Sequence, residues 1–119
     1  MAVSSDFLQY VLEQLSGLGN VDFRRMFGGA GLYHDGLFFG LIADDVLYLK
    51  VDDSNREDYE HAGMRAFRPY RDREQVSMSY FEVPAGVLED PELLTGWARK
   101  SIAAAKDGAV KSARKVPRR

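Results

Sequence analysis

Four short apolar segments separated by tight-turn signals constrain the fold of this chain more than any other feature. They lie at about residues 21–27, 32–33, 37–42 and 46–51. The dipeptide Asp35-Gly36, which joins the second segment to the third, favours the positive φ angles of a two-residue hairpin turn. Because connections this short join antiparallel neighbours, the four segments predict an antiparallel meander.

Helical periodicity appears before and after the meander. Apolar residues recur at steps of three and four from residue 5 to about residue 17. The same spacing follows Asp90-Pro91, which is typical of a helix start, and we expect that helix to end at Gly108. Its apolar stripe contains Trp97, which we expect to be largely buried against the sheet.

The segment between the meander and the last helix predicts a short helix and a second hairpin. Ser54 and Glu57 match a capping box, which places a helix from there to about residue 62. Residues 67–70 and 76–83 have the composition of two further strands, and Pro84 would end the second of them.

These elements follow the order α-β-β-β-β-α-β-β-α and predict an α+β fold. Strands in runs with helices segregated between them favour a two-layer sandwich, with helices packed on one face of a mainly antiparallel sheet. A length of 119 residues suits one domain, which we place at residues 1–105. Residues 106–119 hold six basic side chains, one acid and no apolar period, so we interpret them as a flexible basic tail.

Composition excludes several classes of protein. The chain has no cysteine, so disulfides, thiolate metal sites and a cysteine nucleophile are excluded. No apolar run approaches the roughly 18–20 residues of a membrane span, and the N-terminal residues do not resemble a secretory signal. A cytoplasmic location is the simplest expectation.

No sequence-local pattern predicts catalysis, a cofactor or a metal. A zinc site at His34 or His61 would need further ligands, for which Asp35 and Asp58 are candidates, but carboxylates are frequent throughout this chain, so we interpret both histidines as solvated surface residues. The glycine-rich run at residues 28–31 is followed by a predicted strand, whereas a phosphate-binding loop is followed by a helix. We therefore interpret that run as a structural corner, and we predict positive φ or close backbone packing for at least one of its glycines.

Several short motifs, taken in order along the chain, resemble the N-terminal domain of the TfoX/Sxy competence-regulator family. The resemblance covers about residues 5–105. Its motif residues, for which a structural or interaction role is expected, are Arg24, Arg25, Met26, Phe27, Gly28, Gly29, Gly31, Tyr48, Lys50, Tyr80 and Pro84.

The resemblance implies a fold like that of secretion chaperones and no catalytic residues. The namesakes of the family are bacterial regulators of natural transformation that act with a cyclic-AMP receptor protein at competence promoters. They carry a second, helical domain, whereas only the basic tail follows the last predicted helix here.

Two functions remain open from the sequence. The first is a non-catalytic module that binds a partner protein, such as a component of the transcription machinery, or a second copy of itself. The second is direct binding of nucleic acid by the basic tail, aided by the arginines at positions 65, 68, 71 and 73. The tail residues that would make phosphate contacts are Lys111, Arg114, Lys115, Arg118 and Arg119.

Overall fold

The computed structural model describes residues 5–26, 28–67 and 79–115, with side chains described as far as Gly108. Within these ranges the chain forms four helices and five strands. They are α1 (Ser5–Gln14), β1 (Val21–Met26), β2 (Gly29–His34), β3 (Leu37–Ala43), β4 (Val46–Lys50), α2 (Arg56–His61), β5 (Tyr80–Glu82), α3 (Ala85–Leu88) and α4 (Pro91–Lys115).

The strands form one antiparallel sheet in the order β1-β2-β3-β4-β5. This confirms the predicted meander. Asp35 and Gly36 have φ angles of 51° and 84°, and Asp44 and Asp45 have φ angles of 53° and 57°. Both hairpin turns therefore use two residues with positive φ, the geometry that matches the twist of the flanking strands.

A β-bulge interrupts the pairing of β2 with β3. Leu32 lies opposite Gly40, and Tyr33 lies opposite Phe38, so Phe39 has no partner across the ladder. The side chain of Phe39 is completely buried. The bulge thus adds one core side chain to β3 and leaves the residues on either side of it in regular pairs.

All helices with core contacts pack on the same face of the sheet. Buried residues of α1 and α4 form one cluster with the sheet residues whose side chains share a face by register. The central members of this cluster are Val11, Leu15, Leu32, Ile42, Leu47, Leu49, Phe81, Leu94 and Ala98. The predicted α+β class, with helices on one face of an antiparallel sheet, is confirmed.

The predicted capping box at the start of α2 is wrong. Asn55, and not Ser54, is the N-cap residue, and its side chain makes no capping bond. Instead, Asn55 Oδ1 accepts from the amide of Asp52 at 2.8 Å, and Asn55 Nδ2 donates to the carbonyl of Lys50 at 3.1 Å. The Ser54 hydroxyl donates to Asp52 Oδ1 at 2.6 Å. The side chains of Ser54 and Asn55 therefore stabilise the turn after β4 and do not cap the N-terminus of α2.

The predicted end of the last helix is also wrong. Helix α4 continues through Gly108 to Lys115. A glycine inside a helix costs about 1 kcal/mol relative to alanine, and good helix formers on both sides offset that cost. Residues 106–115 therefore continue α4.

The second predicted hairpin lies partly outside the described residues. Its second strand is β5, which pairs with β4. Ala66 forms an isolated antiparallel bridge with Phe81, and the Phe67 amide donates to the Tyr80 carbonyl at 2.6 Å. Residues 65–67 thus run beside β5, whereas most of the strand predicted at 67–70, together with residues 76–78, falls outside the described ranges.

A candidate protein-interaction face

The sheet has a second face, opposite the helices, which we call the open face. Directly paired residues share a face of an antiparallel sheet, and successive residues alternate between faces. The register therefore assigns to the open face Asp22, Arg24, Met26, Gly29, Gly31, Tyr33, Phe38, Leu41, Ala43, Val46, Tyr48, Lys50, Tyr80 and Glu82.

The large apolar side chains of the open face do not belong to the core. Met26, Tyr33, Phe38, Tyr48 and Tyr80 are all partly exposed. Among the described residues, none of them is in the buried cluster or among the side chains packed against it. The open face therefore presents aromatic surface that the helices leave uncovered.

The aromatic rings of the open face contact one another across strands. The ring centroids of Tyr33 and Phe38 are 5.2 Å apart, and those of Phe38 and Tyr80 are 5.5 Å apart. The ring of Tyr48 lies 4.8 Å from that of Phe67, which follows the Ala66 bridge. These distances are typical of favourable tilted ring pairs, so the rings support one another's orientation.

Gly31 makes room for this arrangement. A Cβ at this position would lie 2.8 Å from both Met26 Cε and Phe38 Cε1. The side chains of Met26 on β1 and Phe38 on β3 thus both extend over the backbone of Gly31 on the strand between them. The absence of a side chain at position 31 is what lets the apolar surface continue across β2.

The rings of Tyr33, Phe38 and Tyr80 form a row that we call the aromatic strip. A cationic group lies over the ring at each end of this strip. The Arg24 guanidinium carbon lies 5.3 Å from the centroid of Tyr33, and Lys50 Nζ lies 5.3 Å from the centroid of Tyr80. Lys50 Nζ also donates to Ser79 Oγ at 3.4 Å. Both contacts fall within the range of cation–π attraction and restrict the two long side chains.

Two tyrosines of this surface, Tyr48 and Tyr80, have raised pKa values. Burial raises the pKa of Tyr80 to about 12, and its proximity to Tyr33 adds to the rise. Burial, followed by the charges of Glu82 and Asp44, raises the pKa of Tyr48. A neutral phenol suits a contact surface, whereas a nucleophile or general base would need a lowered pKa.

Most of the family-motif residues meet on this face. Seven of them, far apart in sequence, share it by register: Arg24, Met26, Gly29, Gly31, Tyr48, Lys50 and Tyr80. Arg25 is exposed on the opposite face of β1. Gly28 occupies the β1–β2 turn with φ of 75°, and Pro84 is the N-cap residue of α3. Phe27 lies outside the described residues.

Sequence reasoning missed several further residues of this surface. Tyr33, Phe38 and Leu41 lie on the open face, and Phe67 contacts Tyr48. Alternation along β2 could have suggested that Tyr33 shares a face with the motif residue Gly31. The bulge at Phe39 breaks that alternation in β3, so Phe38 and Leu41 could not be assigned to a face from spacing alone.

The basic C-terminal residues fall in two places. Positions 111, 114 and 115 lie in the last turns of α4, beyond the described side chains. Arg118 and Arg119 lie outside the described residues, as do Arg68, Arg71 and Arg73. Arg65 is exposed beside the Ala66 bridge.

Neither histidine forms a metal site in the described part of the chain. His34 Nε2 lies 3.4 Å from Asp35 Oδ2, and His61 Nε2 lies 3.7 Å from Glu57 Oε2. Over residues 5–26, 28–67 and 79–115, no group of three or more His, Asp or Glu side chains is placed to hold a metal ion. In those same ranges no helix has the length and apolar character needed to cross a bilayer.

Comparison with known proteins matches residues 13–105 to the TfoX N-terminal domain. The chain belongs to the TfoX N-terminal domain family. It is 30% identical over 66 residues to the DNA transformation protein TfoX1 of Aliivibrio fischeri (strain ATCC 700601 / ES114). That alignment covers 56% of this chain and 32% of the relative, so the chain matches about a third of the length of TfoX1. The resemblance of its motifs to the TfoX family is confirmed.

Proposed function

We propose that this TfoX N-terminal domain is a non-catalytic module that binds a partner protein through its open face and thereby regulates transcription or DNA-uptake competence. The observation that carries the proposal is the convergence of seven family-motif residues on one partly exposed aromatic surface. The cytoplasm is the compartment that this role requires.

The composition of the open face suits protein binding. Tyrosine, phenylalanine, methionine and arginine are enriched at protein interfaces, where each of them buries a large area. Here Met26, Phe38 and Tyr48 supply that area. The ring pairs already restrict Phe38 and Tyr48, and the two cation–π contacts restrict Arg24 and Lys50, which lowers the entropy that these side chains lose on binding.

The surface also indicates the chemistry of its partner. Its centre is apolar, so a bound segment would present apolar side chains over Phe38 and Tyr48. Arg24 and Lys50 lie near opposite ends of the aromatic strip. Carboxylates at the ends of the partner segment would meet these two cations and fix its register.

The regulatory role is supported by the family and by the name of the relative. TfoX1 is described as a DNA transformation protein. In this proposal, the domain shared with such a protein acts by contact with another protein.

Phe38→Glu tests the proposal directly. It places a charge at the centre of the aromatic strip, and we expect it to abolish capture of the partner that wild-type protein binds in affinity purification from the source bacterium. Leu93→Glu is the matched control, because Leu93 is an apolar side chain that is 49% exposed on α4. The proposal also requires Phe38→Glu to lower transformation frequency or to change transcript levels. Unchanged partner capture by a folded Phe38→Glu protein would refute it.

Nucleic-acid binding by the basic C-terminal residues is the second candidate. It is favoured by the continuation of α4, which places positions 111, 114 and 115 at helical spacings of three and four. Five phosphate contacts would give a log–log salt slope of roughly −4 to −5 for duplex DNA. A variant that lacks residues 110–119 should lose this binding, and identical weak binding by intact and truncated protein would exclude the basic residues from the function.

A further inference from the structure

β1 is an edge strand with an accessible outer side. It is paired with β2 on one side only, and among the described residues no strand lies beyond it. The four residues from Asp22 to Arg25 are all exposed. Phe23, exposed by 42%, is one of two large apolar side chains that stand out from the surface of the described chain. Unpaired backbone groups along such an edge are a template for another strand.

The sequence of β1 restricts which strand can pair there. Charged residues on an edge usually discourage pairing, since like charges meet when two edges approach. In β1, however, Asp22 and Arg24 have opposite signs and share the open face. An edge of mixed sign can complement a second copy of itself, provided that one register brings opposite charges together.

Symmetry leaves few registers for two copies of β1. Antiparallel pairing around a two-fold axis places one residue opposite its own copy, and directly opposite residues must lie on the same face. An axis at Asp22, Arg24 or Arg25 sets identical charges against each other, which is destabilising. An axis at either terminal residue of β1 overlaps the two strands by one residue each.

With the axis at Phe23, each charged residue that lies opposite another charged residue meets one of opposite sign. This axis places the two Phe23 rings side by side and sets Asp22 of each copy opposite Arg24 of the other copy. The Arg24 guanidinium is already held on the open face by its contact with Tyr33. On the other face, the aliphatic stem of Arg25 lies opposite Val21 of the second copy and can cover it.

We propose that the chain forms a homodimer by antiparallel pairing of β1 with β1 of a second copy, with the two-fold axis at Phe23. The pairing joins the two five-stranded sheets into a single ten-stranded sheet. It also joins the two open faces into one continuous surface. Its backbone hydrogen bonds lie at the edge of β1, and Arg24 is the residue that it shares with the proposed binding of a partner by the open face, so dimerisation is measured on the protein without a partner. Two six-residue strands make a small interface, for which we expect a dissociation constant in the micromolar range.

Charge exchange tests this register. Asp22→Arg sets arginine against Arg24 of the other copy, and Arg24→Asp sets aspartate against Asp22. Each variant alone therefore replaces two opposite-charge pairs with two like-charge pairs, and we expect dimerisation to weaken by about tenfold or more. In an equimolar mixture of the two variants every opposed pair is complementary again, so a mixed dimer should form.

Sedimentation velocity over a concentration series measures these outcomes. Wild-type protein and the Glu60→Arg control, which makes the same change of charge at an exposed site on α2, should dimerise equally. The double variant Asp22→Arg with Arg24→Asp should also dimerise, because it exchanges the signs and keeps the pairs. Circular dichroism confirms that each variant is folded. A wild-type protein that stays monomeric at every concentration, a dimer unaffected by Asp22→Arg, or a mixture that fails to associate would overturn the proposal.

Discussion

A side chain on Gly29 would collide with the backbone carbonyl oxygen of Ile42 on the neighbouring strand. No rotamer change can relieve this contact, because it involves a Cβ and a backbone atom. We therefore expect Gly29→Ala to destabilise the fold by about 1–3 kcal/mol, the usual cost of overpacking.

Gly96→Ala is the control for this prediction. Gly96 lies in α4 with open space around its Cβ position, so alanine there should be neutral or stabilise the helix by up to about 1 kcal/mol. Urea unfolding of both variants measures the difference. Equal stabilities would contradict the close approach at Gly29.

Two consecutive phenylalanines should respond to substitution in opposite ways. Phe39 is fully buried, so Phe39→Ala should cost about 3–5 kcal/mol of unfolding free energy. Phe38 is partly exposed on the open face, so Phe38→Ala should cost much less stability and weaken partner binding instead. Unfolding curves and partner titrations on the same two proteins separate the effects, and a larger loss of stability at Phe38 would show that the faces are assigned wrongly.

Trp97 lies on the apolar stripe of α4 and packs, partly buried, against the core cluster. Its ring makes an edge contact with Tyr59 at 4.7 Å, and Tyr59 occupies the fully buried site. We expect Trp97→Ala to cost about 3 kcal/mol, at the low end for a tryptophan truncation. Leu93→Ala, at an exposed position of the same helix, should change stability by no more than about 0.5 kcal/mol. An emission maximum of native protein equal to that of free indole in water would contradict the packing on Tyr59.

Alkaline pH should destabilise the fold through its tyrosines. The pKa of Tyr80 rises from 10.0 to about 12 on folding, and burial also raises that of Tyr59. The folded state therefore holds these protons more tightly than the unfolded state. Stability should be constant with respect to these groups below about pH 10 and should fall between about pH 10 and 12.

Tyr80→Phe separates the contribution of Tyr80 to this decline. The variant cannot ionise at position 80, so its loss of stability with rising pH should be smaller than that of the wild type. Urea unfolding as a function of pH, together with tyrosinate absorbance, provides the measurement. Identical pH profiles for the two proteins would show that Tyr80 titrates alike in both states.

Local signals predicted the parts of the fold that depend on local energetics. Asp35-Gly36 determines its turn because both residues tolerate positive φ. The start of α4 follows from Asp90, whose Oδ1 accepts from the amides of Glu92 and Leu93. These contacts lie within a few residues of sequence, so residue type alone predicts them.

The errors arose where several local preferences compete at one position. The side chain of Asn55 binds the backbone of Lys50 and Asp52 in preference to the helix that it precedes, which removes the expected capping box. The end of α4 depends on small propensity differences summed over many residues, so a single glycine does not decide it.

The sequence identified several residues of the candidate face, but it did not show that they lie on the same face of the sheet. The family motifs contain Met26, Tyr48 and Tyr80, which are far apart in sequence. Their presence on one face depends on the pairing register of five strands and on the bulge in β3. Register is a property of the whole sheet, and no spacing within one strand contains it.

The bulge also bears on how this domain can change length during evolution. Phe39 has no partner across the ladder, and the residues on either side of it are in regular pairs with β2. Its deletion would remove a buried ring but leave Phe38 and Leu41 directed to their present side of the sheet. A deletion elsewhere in β3 would exchange inward and outward side chains over part of the strand. Among homologous sequences, a one-residue gap in β3 is therefore expected at position 39, and an alignment of the family can check this.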